Sequence, residues 1–164
     1  MQVQQVLVGV DGSVGAQAAL MAAAGFARLA AAELVVLTVW ERVPHPVYAP
    51  VNAEDSDELT AARERLEATL ERAQEALAGL AVRSEVREGH PAQVLLAASA
   101  EADLLVLGAH GLGGGGGLPV GGIARDCAGH AACPVVVMPT RVAASLIEAG
   151  AKRSGPSTDA AREQ

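Results

Sequence analysis

Four short runs of almost uninterrupted apolar residues constrain the fold of this chain. They are VLVGV at 6–10, LVVLTVW at 34–40, LLVL at 104–107 and PVVVM at 134–138. A strand with one solvated face alternates apolar and polar residues. Continuous runs of this length fit strands buried on both faces, as in a parallel sheet covered by helices. A fifth segment, 81–86, does alternate, with Arg83 and Glu85 on one face, and reads as a half-exposed edge strand.

The segments between these runs carry helical signals. Positions 14–31 are Ala-rich and apolar nearly all round, which predicts a well-buried helix with Ser13 as its N-cap. Gly25 inside it predicts a close approach to the sheet, at a propensity cost of about 1 kcal/mol. Positions 41–54 hold three Pro and form a loop. Asp55 and Glu58 resemble a capping box. Leu59, Ala62, Leu66, Leu70, Ala73 and Leu77 recur at spacings of three and four, predicting one long amphipathic helix that ends near Gly79. Arg63, Glu64, Glu67, Glu71, Arg72 and Glu75 form its solvated face. Glu88-Gly89-His90-Pro91 is a turn, and Pro91 suits the first position of a short helix over 92–100. A weak helix is predicted over 122–131. Residues 1–141 are expected to be one domain. Residues 142–164 form a tail, helical over 142–149 and disordered from Lys152.

The order β-α-β-α-β-α-β-α-β implies an α/β fold: an open, Rossmann-like, five-stranded parallel sheet with helices on both faces. Right-handed crossovers, with a change of face after the second helix, give strand order 3-2-1-4-5. The first and fourth strands then lie side by side where the winding reverses, and ligands of open α/β sheets bind at that point. Asp11-Gly12-Ser13 follows the first strand. GAHGLGGGGGLPVGG, at 108–122, follows the fourth, and nine of its fifteen residues are Gly. Glycine lets backbone N–H groups approach a ligand, and a following helix N-terminus adds partial positive charge. The stretch reads as a phosphate cradle or as a surface linker, and its place between strand and helix favours the cradle.

Charge limits the partners. The chain carries 12 basic and 19 acidic residues, a formal −7, which opposes a nucleic-acid surface. The same field opposes a bare phosphate ligand, and a divalent cation would relieve it. No apolar segment is long enough to span a bilayer, and Asp11 interrupts the first apolar run, so no membrane segment or signal peptide is expected. A soluble, cytoplasmic protein is expected, and two Cys give no disulfide framework.

VGVDGS at 8–13, EGHPAQVLLAA at 88–98 and the glycine segment running into CPVVVMP at 133–139 resemble the universal stress protein family, across about 6–138. The ATP-binding branch of that family carries Gly, two residues, Gly, nine residues, Gly, then Ser or Thr. Gly108, Gly111 and Gly121 match that spacing, and Gly122 stands at the Ser/Thr position. The resemblance implies that Asp11 contacts the nucleotide, with Gly12 and Ser13 beside it. It implies that the backbone at Val39 contacts adenine and that Gly108 and Gly111 line the ribose and phosphates. Gly121, Gly122 and Ile123 would form the helix entrance. Asp11 can accept a ribose or adenine hydrogen bond or help hold a metal-bound phosphate; as a plain turn residue it would cap local N–H groups. The implied ligand is an adenine nucleotide, ATP with Mg2+. The implied assembly is a homodimer through Val135, Val136 and Val137, otherwise an exposed apolar edge.

Gly122 lacks a hydroxyl worth roughly 1.5–3 kcal/mol to a phosphate. Ordering the five glycines 113–117, which read as a mobile flap, costs on the order of 1–2 kcal/mol per residue. Weak to moderate nucleotide binding is therefore expected. Gly111-x-Gly113-x-x-Gly116 matches a dinucleotide fingerprint almost automatically in such a run, and no acidic residue near position 136 supports it. Cys127, His130 and Cys133 invite a zinc reading, but buried small-hydrophobe cysteines fit better. His110 reads as a phosphate contact, an acid or a solvent-facing loop residue. Trp40 and Tyr48 could flank a base, and Trp40 equally suits the core. No nucleophile–base–orienter set is visible. Three functions follow: a stress-response regulator that binds ATP, a nucleotide-independent dimeric interaction protein of the same fold, and a slow ATP-hydrolysing enzyme.

Overall fold

The computed structural model describes residues 2–42, 57–112 and 120–139. Tyr48, most of the Pro-containing loop, Asp55, the glycines 113–117 and the tail from 142 lie outside the described residues. The elements run β1 (Gln5–Gly9), α1 (Val14–Ala30), β2 (Glu33–Trp40), α2 (Asp57–Arg72), α3 (Gln74–Leu77), β3 (Val82–Glu88), α4 (Pro91–Ser99), β4 (Leu104–Gly108), α5 (Gly122–His130) and β5 (Val135–Met138). All strand pairs are parallel, in the order β3-β2-β1-β4-β5. This is the expected order 3-2-1-4-5.

The unbroken apolar runs supply two cores at once, because successive side chains point to opposite faces of the sheet. Val6, Val8, Leu34, Val36 and Val106 face the alanines of α1, with Leu66 and Ala73 behind. Leu7, Val35, Leu37, Leu105 and Leu107 face Leu95 and Ala98 of α4 and Ala124 and Cys127 of α5. The Asp103 carboxylate accepts the N–H groups of Gln4 at 2.8 Å and Gln5 at 3.0 Å, which fixes the start of β1 against β4. Those two donors hold its carboxyl below the usual range.

Three expectations are corrected. The helix predicted to reach Gly79 breaks at Ala73, whose φ of −100° and ψ of 4° leave helical geometry. The Ala73 N–H donates to Leu70 at i−3. Just upstream, buried Thr69 donates its hydroxyl to the Arg65 carbonyl at 2.7 Å, a back-bond that bends helices. Secondly, α1 is not buried all round: Leu29 is 88% exposed and Phe26 36%. A single layer on one face of a sheet leaves its outer side to solvent. Thirdly, Gly25 makes no close approach, since a Cβ there would meet nothing within 4 Å. The glycine that does is Gly15, where a Cβ would lie 2.9 Å from the His110 carbonyl oxygen.

The two sheet edges differ. On β3, Arg83 pairs with Glu33 and Glu85, and Arg87 pairs with Glu85. Exposed pairs add little stability, but charge blunts an edge against strand addition. On β5, Val135, Val136, Val137 and Met138 are all half-buried. Among the described residues, no helix is long and apolar enough to cross a membrane.

Candidate functional site

At the carboxyl ends of β1 and β4 the two following loops enclose a cavity of about 390 Å³. Asp11, Ser13, Val39, Gly108, Gly111, Gly121, Gly122 and Ile123 all line it. Gly12 does not line it; it sits behind, in the turn that aims its neighbours.

Gly12 has φ of +86°, which favours glycine, and this turns the chain sharply from β1 into α1. Ser13 then caps α1, its Oγ accepting the Ala16 N–H at 3.1 Å. Asp11 bridges the two loops. Its Oδ1 accepts the Ser13 N–H at 3.0 Å, and its Oδ2 accepts the Leu112 N–H at 2.8 Å. Gly111 makes the second bond possible, because any Cβ there would run into Asp11 Oδ2. Asp11 thus caps loop N–H groups, as a turn residue would, and it also lines the cavity.

Gly108 and Gly15 bring α1 onto the end of β4. A Cβ on Gly108 would lie 2.7 Å from the Gly15 carbonyl carbon and 3.1 Å from the Ala16 nitrogen. Gly121 precedes α5 and donates its N–H to Ala109 at 2.7 Å. The N-cap of α5 has no side-chain hydrogen bond, so the first N–H groups of this helix are left for another acceptor. Gly122 opens the helix, and a Cβ there would meet nothing within 4 Å.

Val39 belongs to the part of β2 that outruns β1, since pairing between them stops at Gly9 and Leu37. The Leu37 carbonyl accepts the Val10 N–H at 2.9 Å. Two residues on, the Val39 backbone faces the same side, where no strand among the described residues lies beside it. Its polar groups are thus open to the crevice. The Thr38 hydroxyl is spent on the Val10 carbonyl at 3.1 Å.

Several lining residues escaped the sequence reading. Pro91 and Leu95 come from α4, and Arg65 from α2. Arg65 lies at the boundary of the apolar stripe, three residues after Ala62, where neither the core face nor the solvated face claims it. Trp40 is only 6% exposed and does not line the cavity; it borders an adjoining hollow alongside Val39, Glu58, Arg65 and Pro91. Arg42 lies 5.5 Å over its ring while forming an ion pair with Glu88. That guanidinium holds the Glu88 carboxyl below the usual range.

Cys127 lies fully buried under the sheet, and burial pushes its thiol up to about 11. Burial also raises the thiol of half-buried Cys133. Among the described residues no three His, Cys, Asp or Glu cluster in a way that could hold a metal ion. His110 lines the cavity from the loop after β4.

A model described as "Universal stress protein family" matches residues 2–139. A universal stress protein of Thermus aquaticus is 33% identical over 138 residues, covering 81% of this chain and 96% of that protein. Another, of Mycolicibacterium smegmatis, is 32% identical over 136 residues, covering 83% of this chain but only 46% of its relative. This chain therefore spans about half the length of that second protein. Among solved structures, a universal stress protein in complex with cAMP superimposes with a TM-score of 0.60 at 25% identity, covering 85% of this chain and 99% of the other.

Proposed function

Because the chain belongs to the universal stress protein family, we propose that it is a stress-response regulatory protein that binds an adenine nucleotide in the crevice between β1 and β4. The observation that carries this reading is the uncapped N-terminus of α5, which opens into the same cavity as the free backbone edge at Val39. The first end suits phosphate, through orphan N–H groups and the helix dipole. The second suits the edge of a base. Asp11 lies between, fixed by two N–H donors and able to accept a ribose hydroxyl through its remaining lone pairs. The cAMP complex of the related protein supports an adenine ligand.

ATP with Mg2+ is the form we favour. The cation offsets the field of a chain with formal charge −7. It would arrive on the phosphates, with Asp11 the one carboxylate among the described residues that line the cavity. Calorimetry with Mg-ATP and with AMP is expected to show binding in the micromolar to millimolar range, weakened by the missing hydroxyl at Gly122. No heat with either ligand at millimolar concentration, together with nucleotide-free purified protein, would remove this reading.

We further propose that residues 1–141 are the nucleotide-binding domain and that two copies pair through Val135, Val136 and Val137 of β5. Half-buried valines on an otherwise unpartnered edge favour this. Sedimentation equilibrium is expected to give twice the chain mass, and Val136→Lys to return a folded monomer. A wild-type protein that stays monomeric across the concentrations used defeats the pairing proposal.

A further inference from the structure

We propose that Arg65 is the flat wall on which the base of the bound nucleotide stacks. This rests on the nucleotide reading and assigns a residue to its base end. The stem of Arg65 lies along the turn between β1 and α1: its Cβ, Cγ and Cδ are 3.4–3.7 Å from where a Cβ on Gly12 would stand. The side chain therefore runs from the body of α2 over the turn that carries Asp11. It borders both the cavity and the hollow beside it, and the residues common to both are Val39, Arg65 and Pro91. Arg65 thus lies where the two hollows meet, beside Val39 and Pro91.

The guanidinium is available for this role. Among the described residues, it takes part in none of the ion pairs: Arg42 holds Glu88, while Arg83 and Arg87 hold Glu85. A planar partner strengthens the hold on a nucleobase, and aromatic side chains are scarce, with one Trp, one Tyr and one Phe in the chain. Trp40 is buried with Arg42 over its ring. Phe26 sits on α1 and does not line the cavity. Among the described residues, His110 is the one aromatic ring that lines the cavity, from the loop after β4, and the guanidinium of Arg65 offers a plane beside Val39: it is flat, weakly hydrated and stacks on π-systems. Pro91 offers an apolar surface at the same end.

The test compares ATP and adenosine on wild type, Arg65→Ala and Arg65→Lys by calorimetry, with thermal melts to establish that each variant is folded. Stacking acts on the base, so both substitutions are expected to weaken both ligands, by about tenfold. Lysine keeps the charge and most of the stem but loses the plane. If Lys restores affinity, or if the loss is confined to ATP, the group contacts phosphate and the stacking proposal is overturned. If Arg65→Ala binds like wild type, the proposal fails while the nucleotide reading stands. If wild type binds neither ligand, both fall together.

Discussion

Gly122→Ser is expected to tighten Mg-ATP binding by about one to two orders of magnitude. A hydroxyl donating to a charged phosphate contributes roughly 1.5–3 kcal/mol, and each 1.4 kcal/mol or so is tenfold in affinity. The site can accept it, since a Cβ at Gly122 would meet nothing within 4 Å and the residue opens α5. Gly122→Ala is the control. It adds the same Cβ and the same loss of backbone freedom, but no donor. Titrations should show Ser tightening and Ala close to wild type. Equal affinities for Ser and Gly would refute the assignment of phosphate to this helix entrance. Equal gains for Ser and Ala would trace the effect to helix order instead.

Gly108→Ala is expected to destabilise the protein by about 3 kcal/mol, at the upper end of what overpacking costs. The added Cβ would stand 2.7 Å from the carbonyl carbon of Gly15 and 2.9 Å from its oxygen. Both obstacles are backbone, so no side chain can rotate away. Either α1 lifts from the end of β4, opening the cavity, or β4 shifts in a core whose Leu105 and Val106 are fully buried. Gly25→Ala, in the same helix as Gly15, is the comparison. With nothing within 4 Å of its Cβ, it should be neutral or stabilising by up to about 1 kcal/mol. Urea unfolding of both variants reads the difference. A Gly108→Ala midpoint matching wild type would mean that α1 and β4 are not held in this contact.

The inner strands were readable because both their faces are buried, which leaves runs almost free of polar residues, with Thr38 the exception. The strand order followed, and with it the meeting of Asp11 with the loop after β4. Glycine identity was a weaker guide. Gly15 and Gly25 look alike in a list of residues, yet only Gly15 faces another backbone. The break at Ala73 was hidden because its cause is a hydroxyl turned back onto the helix at Thr69, while the apolar spacing runs on undisturbed. Arg65 was missed for a related reason. Periodicity sorts residues into buried and solvated, and a side chain that leaves its own helix to line a cavity belongs to neither. At Gly122 the missing hydroxyl was legible, but the empty space that would accept one needed the backbone of α5.

The unlike edges of the sheet also determine how far assembly can go. If copies join through the valines of β5, the same surface is used on both, and the two outer edges of the joined sheet are β3 strands bearing Arg83, Glu85 and Arg87. A head-to-tail contact between β5 of one copy and β3 of the next would instead propagate without end. Charge on β3 disfavours that contact, so pairing through β5, as proposed, would close as a two-fold pair rather than extend into a filament.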